Sequence, residues 1–159
     1  MPTQSKAAAP PSGLTRLFYR APILFYRLGL GFILGERFLL LNHTGRKSGL
    51  RRRVVLEVVH HDKERGSYYI AAGFGPRSDW YQNLLKTPAA EIQVGGRRMA
   101  VHAEPCEASE AKQVLGAYAT QHPRAAKNLA GLMGYQTDGS VEDFAALGET
   151  LNVVRLDPR

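Results

Sequence analysis

The segment AEIQVGGRRMAVHA, residues 90–103, limits the possible folds of this chain more than any other stretch. Apolar and polar residues alternate on both sides of Gly95-Gly96, which is the pattern of a β-hairpin closed by a two-residue turn. The turn sets the register of the two strands and is expected to pair Ile92 with Met99 and Gln93 with Arg98. An antiparallel sheet is therefore predicted.

Further short strands are predicted around this hairpin. The almost wholly apolar run RFLLLNH (37–43) is typical of a buried strand. Residues 51–59 predict a central strand with a basic entrance, because both of its faces are apolar beyond the arginines. Residues 67–74 and 150–158 predict two more strands, and the polar segment 60–66 predicts a turn.

Helical patterns lie between and after these strands. Residues 78–88 predict a short helix that Ser78 or Asp79 caps. The last third of the chain holds three helical stretches, and Ser140 with Asp143 resembles a capping box at the start of the third. A chain of 159 residues suits one core. The expected fold class is α+β, a small and mostly antiparallel barrel with flanking helices.

The N-terminal segment allows two interpretations. Residues 1–13 are low in complexity and are expected to form a disordered tail, so that a single domain spans 14–159. Residues 14–35 combine leucine, phenylalanine and tyrosine with arginine and predict an amphipathic helix. That helix either packs on the domain or rests on a membrane surface. No stretch has the roughly 18 to 20 uninterrupted apolar residues of a membrane span.

Five cations crowd the turn in TGRKSGLRRR, residues 44–53. Like charges held this close repel one another, and a bound anion offsets the repulsion. The net charge of +7 also favours an anionic partner. Gly45 and Gly49 are expected to let backbone N–H groups face outward, beside the forked donors of the arginines. The alternative is a hairpin tip whose charges are only solvated.

Motifs for most other chemistries are absent from the sequence. It contains no Gly-rich dinucleotide fingerprint, P-loop, HExxH metal motif or GxSxG nucleophile elbow. The five histidines have no ligand spacing, and the single cysteine, Cys106, is interpreted as a packing residue. Nucleic acid is not expected as a partner, because the basic cluster has no interleaved aromatic residues. An enzyme with this sequence would take its chemistry from an organic cofactor.

Three segments, LLLNHTGRKSGLRRR, YIAAGFG and SDWYQNLLKTPAAEIQVGG, taken in that order, resemble the deazaflavin (F420)-dependent nitroreductase family. The resemblance covers roughly residues 37–105. It implies a split β-barrel like that of FMN-binding proteins, with coenzyme F420 as the cofactor. It also implies an F420H2-dependent oxidoreductase that transfers a hydride to or from a small organic acceptor: a quinone, a nitro compound or an activated alkene. F420 is strongly anionic, which agrees with the cationic turn.

The resemblance further implies which residues line the cofactor. Arg46, Lys47 and Ser48 would hold its phosphate and glutamate tail. The adjacent strand would supply Arg52, Arg53, Val54, Val55, Leu56 and Glu57, the ring system would lie against Ala72, Gly73, Phe74 and Gly75, and the opposite side would be closed by Trp80, Tyr81, Asn83 and Leu84. Tyr135 is the positional candidate for a catalytic proton donor, with core packing as its alternative.

The chain departs from the family pattern at several positions. Val55 stands where a proline is frequent, Phe74 where a lysine is common, and Glu57 where an aromatic residue is expected. The acceptor and the direction of hydride transfer therefore stay open.

Two other functions also stay open: an FMN- or haem-binding split barrel without F420 turnover, and an anion-binding module at a membrane surface. The expected location is the cytoplasm, with peripheral contact at the inner face of the membrane through residues 14–35 as an alternative. The chain is expected to be a monomer or a homodimer.

Overall fold

The computed structural model describes residues 3–4, 35–72, 77–132, 135–136, 140–149 and 151–159. The predicted helix at 14–35 lies outside these residues except for Gly35, and so does the predicted tail at 1–13 except for Thr3 and Gln4. The amphipathic helix and its membrane contact stay predictions. Of the helices that are described, none is long and apolar enough to cross a bilayer.

Nine strands and four α-helices occur in the described residues. The strands are β1 (Thr3–Gln4), β2 (Phe38–Thr44), β3 (Arg51–Glu57), β4 (His60–Asp62), β5 (Ser67–Ala72), β6 (Ala89–Val94), β7 (Arg97–Pro105), β8 (Tyr135–Gln136) and β9 (Asn152–Pro158). The helices are α1 (Asp79–Lys86), α2 (Ala108–Gln121), α3 (Pro123–Leu132) and α4 (Val141–Ala145), and a 3₁₀ helix follows at Ala146–Glu149.

Seven strands form one antiparallel sheet in the order β3-β2-β6-β7-β9-β5-β4, and β1 pairs separately with β8. The predicted Gly95-Gly96 turn joins β6 to β7. The register pairs Ile92 with Met99 and Gln93 with Arg98, which confirms the sequence prediction. Because β3 also contacts β5, near the opposite edge, the sheet curls into a half-barrel. The prediction of an α+β barrel is confirmed.

The segment predicted as a central strand, 51–59, is instead the edge strand β3. Its hydrogen-bonded neighbour in the sheet is β2 alone. Val54 and Leu56 pack against the core inside the barrel, while residues 54–57 are all half-buried. The apolar pattern of a strand depends on what packs above and below it and not on its neighbours within the sheet, so an apolar pattern on both faces does not require a strand on both sides.

The segment predicted as a turn, 60–66, begins with the strand β4 and turns only after it. β4 pairs with β5 and places His61 against Tyr68, whose rings stack with centroids 4.0 Å apart. Ring stacking stabilises this pairing in place of aliphatic packing. The polar composition of residues 60–66 therefore did not indicate the strand that begins this segment.

Two hydrophobic clusters hold the sheet and the helices together. The first fills the inside of the barrel, where strand side chains meet Trp80, Tyr81 and Leu84 of α1. The second lies between the outer face of the sheet and helices α2 to α4, around Leu115 and Val153. The sheet thus buries side chains on both faces, and α1 is anchored at the barrel by aromatic packing.

The ends of two helices test the predicted caps. Ser78 occupies the N-cap position of α1, but its buried hydroxyl makes no capping bond, so the prediction of a serine side-chain cap is wrong. Thr87 ends the same helix and donates its N–H to the Asn83 carbonyl at 2.8 Å. At α4 the predicted cap forms, because the Asp143 N–H donates to Ser140 Oγ at 3.1 Å.

Gly148 offers a test of the packing between the 3₁₀ helix and α2. A Cβ at this position would lie 2.6 Å from the Lys112 nitrogen and 2.9 Å from the Ala111 carbonyl carbon, which are backbone atoms and cannot rotate away. We expect Gly148→Ala to lower the free energy of unfolding by about 1–3 kcal/mol. Urea unfolding followed by circular dichroism measures this change.

Gly131→Ala is the matched control. A Cβ at Gly131 meets no atom within 4 Å and would lie on an exposed part of α3. This variant should be neutral or more stable by up to about 1 kcal/mol, since alanine is the better helix former. Equal stability of the two variants would contradict the close approach at Gly148.

Candidate functional site

The turn between β2 and β3, residues 45–50, is closed by its own backbone. The Gly45 N–H donates to the Leu50 carbonyl at 2.8 Å, and the Gly49 N–H donates to the Gly45 carbonyl at 2.9 Å. Gly49 has a φ of 70°, a left-handed conformation that glycine adopts without strain. Both glycine N–H groups therefore close the turn, and the N–H groups of Arg46 and Leu50 also donate within the protein, to Asn83 and Ser48. The prediction of outward-facing N–H groups fails for these four residues.

Arg46 ties this turn to helix α1. Asn83 Oδ1 accepts from the Arg46 backbone N–H and from Arg46 Nη1, each at 3.0 Å. The guanidinium also donates to Asp79 Oδ1 at 3.2 Å, and Lys86 Nζ donates to the Arg46 carbonyl at 2.7 Å. These contacts, the Arg46 clamp, fix both the backbone and the side chain of the turn against the helix.

The five cations of the turn divide into two kinds. Arg46 has Asp79 as its acid partner at 3.2 Å, and Arg51 has Glu91 at 3.1 Å. The other three are exposed and have no acid partner within the described residues: Lys47, Arg52 and Arg53. Because the turn is held in place, its unpaired cations cannot separate, and they attract an anion. Their guanidinium and ammonium groups are suitable donors for phosphate and carboxylate oxygens.

Alternation along β3 divides its residues between two faces. Arg52 shares the barrel-interior face with Val54 and Leu56, which pack against the main core. Arg53 and Val55 lie on the opposite face. A ligand on one face of β3 therefore reaches the side chains of only half of the residues predicted along this strand.

Glu57 lies at the far end of β3, about 17 Å along the strand from Arg52. Its Oε1 accepts the Tyr118 hydroxyl at 2.6 Å and lies 3.7 Å from Arg37 Nη2. Burial, followed by this hydrogen bond, raises the pKa of Tyr118. The Glu57 carboxylate is thus engaged with α2, at the opposite end of the strand from the cationic turn.

The remaining predicted site residues lie in different places. Asn83 belongs to the Arg46 clamp, and Ser48 Oγ accepts the Leu50 N–H at 3.2 Å within the turn. The main core buries Ala72, Trp80, Tyr81 and Leu84. Outside the described residues lie Gly73, Phe74 and Gly75, and Tyr135 is described only as part of β8. Their roles at a cofactor stay predictions.

His43 also belongs to this candidate site, although no pattern in the sequence indicated it. The residue is 5% exposed on β2, and its Nδ1 lies 3.0 Å from Asn83 Nδ2. Burial lowers the pKa of His43 to about 4, while Asp79 opposes this shift and Arg52 adds to it. Asn83 is forty residues away in the chain, so no local pattern links the two.

Two clefts adjoin β3. One of about 300 Å³ lies beside the turn, between His43, Arg51 and Glu91. The other, of about 350 Å³, opens at the far end of the strand, beside Glu57 and Tyr118. The described ranges contain no group of histidine, cysteine and acidic side chains suited to a metal ion.

Comparison with known proteins identifies the ligand class. The family profile described as F420H(2)-dependent quinone reductase matches residues 27–136. Rv3178 of Mycobacterium tuberculosis (strain ATCC 25618 / H37Rv), whose name assigns it as an F420H(2)-dependent quinone reductase, is 33% identical over 86 residues. The match covers 53% of this chain and 71% of that protein.

Solved structures share the fold at low sequence identity. An F420-H2 dependent reductase, FDR-A, has a TM-score of 0.55 at 22% identity over 77% of this chain and 96% of its own. An FMN binding protein related to pyridoxamine 5'-phosphate oxidase, from Nostoc punctiforme PCC 73102, has a TM-score of 0.55 at 16% identity over 87% and 80%. HutZ, the haem storage protein from Vibrio cholerae, has a TM-score of 0.53 at 15% identity over 80% and 85%. The split β-barrel prediction is confirmed.

The matched region contains the basic turn, β3, helix α1 and the β6–β7 hairpin, which are the segments that carry the sequence resemblance. The predicted dependence on F420 is confirmed, and the family description names a quinone as the acceptor. The chain belongs to the F420H(2)-dependent quinone reductase family and is an oxidoreductase that uses coenzyme F420.

Proposed function

We propose that this protein transfers a hydride from F420H2 to a quinone, and that the turn of residues 45–50 with the start of β3 holds the anionic tail of the cofactor. The observation that carries the site is a pair of exposed cations, Lys47 and Arg52, to which the described residues offer no acid partner, beside a turn that the Arg46 clamp fixes to α1. Nitro compounds and activated alkenes are the other acceptors that the sequence resemblance implies.

The residues of the turn have different tasks in this site. Lys47 and Arg52 supply charge-assisted contacts to phosphate and carboxylate oxygens, since acids of the described residues do not engage them. Arg46 acts chiefly by fixing the turn, because Asp79 already pairs with its guanidinium. Ser48 Oγ accepts from the Leu50 N–H and keeps its own O–H as a donor for the ligand.

The neighbouring face of β3 differs in character from the turn. When bound, the deazaflavin supplies a hydride, and the protein has to orient it and exclude water. Val54 and Leu56 pack against the main core on the same face as Arg52. An apolar strand face beside a cationic turn suits the uncharged and the charged halves of one ligand. Tyr135 stays the candidate donor of the proton that a reduced quinone takes up.

Turnover and binding test the proposed function together. Protein mixed with F420H2 and a soluble quinone should restore the visible absorption of the oxidised deazaflavin, and nitro compounds and activated alkenes under the same conditions rank the acceptors. Titration with FMN and with haem tests the alternative ligands. Tight binding of FMN or haem without any binding of F420 would overturn the proposal.

Removing two cations from the turn should weaken cofactor binding. We expect Arg46→Ala combined with Lys47→Ala to reduce the F420 binding free energy by a few kcal/mol. Lys47 would lose a charge-assisted contact worth roughly 1.5–3 kcal/mol, and Arg46 would lose the side-chain bonds that fix the turn to α1. The fold should persist, because the backbone N–H of residue 46 still donates to Asn83 Oδ1. Calorimetric titration with F420 measures the loss of binding free energy. The loss should be smaller at high salt than at low salt, because salt screens the charges.

Arg124→Ala combined with Lys127→Ala is the matched control. It removes the same net charge from exposed positions of α3, away from the turn. Its F420 affinity should stay within about twofold of the wild type, because long-range attraction contributes less than direct contact. Equal losses in the two double variants would mean that net charge, and not the turn, determines binding.

A further inference from the structure

The hydrogen bonds around Asn83 fix the orientation of its side-chain amide. The Arg46 backbone N–H and guanidinium are obligatory donors, so the amide atom that both reach at 3.0 Å is the oxygen. The other amide atom, Nδ2, therefore faces His43 and lies 3.0 Å from its Nδ1. Since Nδ2 only donates, His43 Nδ1 has to accept, which requires a neutral ring with its proton on Nε2.

We propose that His43 is a positioning residue for the basic turn: as an acceptor it holds the Asn83 amide in the orientation that fixes Arg46 beside Lys47. The inference rests on the proposed function, because the turn is the cofactor's anion site. The contacts from His43 through Asn83 to Arg46 are the His43 relay. His43 touches no reacting atom in this scheme and acts only through Asn83.

Protonation of the His43 ring would break the relay. A proton on Nδ1 would set two donors against each other, so the ring and the Asn83 amide would move apart and His43 would no longer hold Asn83 in place. The charged groups around the ring come from several elements: Asp79 and Lys86 of α1, Arg46 of the turn, Arg51 and Arg52 of β3, Glu91 of β6, and the terminal Arg159.

These charges and the burial of the ring determine the pH at which His43 stops holding the Asn83 amide. Burial lowers the pKa of His43 to about 4 against the attraction of Asp79, and Arg52 adds to the shift. The neutral ring is therefore favoured by folding. Its contribution is complete above the ordinary histidine value, about 6.5, and is lost as the pH falls through about 4.

Two substitutions at His43 separate the acceptor from the bulk of the ring. His43→Leu keeps an apolar side chain of similar size without an acceptor, whereas His43→Gln keeps an oxygen that can accept from Asn83 Nδ2. We expect His43→Leu to raise the F420 dissociation constant about five- to fiftyfold, and His43→Gln to raise it at most about threefold. His102→Leu, at an exposed position of β7, should bind like the wild type.

Nitrogen NMR of the wild-type protein without cofactor measures the tautomer of His43 and its coupling to Asn83 and Arg46. The ring should show the Nε2–H tautomer at neutral pH, and its protonation near pH 4 should shift the Asn83 side-chain amide and the Arg46 N–H together. The F420 affinity of the wild type, divided by that of His43→Gln, should fall over the same range. The ratio removes the titration of the cofactor's own acids, which is common to both proteins.

The outcomes distinguish the relay from the proposed function. An Nδ1–H tautomer at neutral pH would overturn the inference, and so would equal F420 affinities of folded His43→Leu and His43→Gln. If His43→Leu does not fold, the inference is tested by the wild-type protein alone, through the His43 tautomer and the coupled chemical-shift changes of Asn83 and Arg46. Wild-type protein that binds no F420 but shows the expected tautomer and coupled shifts would refute the proposed function and support the relay.

Discussion

The contact between the basic turn and helix α1 holds the cations of the candidate anion site in place. Five cations lie within residues 46–53, and two like charges a few ångström apart repel by about 1 kcal/mol or more even in water. Within the described residues, acids pair with Arg46 and Arg51, the two that bond to the body of the domain. Because the Arg46 clamp prevents the turn from opening, Lys47 and Arg52 stay close to the paired cations, and a bound anion would offset the repulsion.

The edge position of β3 gives its two ends different chemistry. At the first end, backbone and side-chain groups of α1 and β2 hold the cationic turn. At the other end, Glu57 accepts from Tyr118 and approaches Arg37. The acid at this position would repel an anionic cofactor if it were free and near the turn. It is neither, so the departure from the family pattern at Glu57 is compatible with an anion at the other end of the strand.

The sequence predicted those parts of the fold that depend on near neighbours. The Gly95-Gly96 hairpin, its register and the buried strand β2 follow from alternation and turn chemistry within a few residues. The sequence did not predict that β3 is an edge strand, because an apolar pattern reports what packs on the two faces of a strand and not how many strands flank it. It missed β4, since the stacking of His61 on Tyr68 replaces an aliphatic pattern.

The candidate site was predictable to the same extent and for the same reason. Charge density along the chain indicated the turn as a candidate anion site, because charge is a local property of the sequence. The acids that pair with Arg46 and Arg51 lie 33 and 40 residues away, and so the sequence could not show which cations stay free. The role of His43 depends on a single amide orientation in a helix forty residues away.

These long-range contacts matter to affinity as much as the charges do. A flexible turn with the same five cations would attract the same anion, but binding would then have to order the backbone and each long side chain, at about 0.5–1.5 kcal/mol for each side chain. Here the clamp has ordered the backbone of the turn and Arg46 during folding. The ordering cost that remains for binding comes from the side chains of Lys47 and Arg52. Two chains that share the segment GRKSG can therefore differ in affinity when the residue facing Asn83 differs, although every charge is the same.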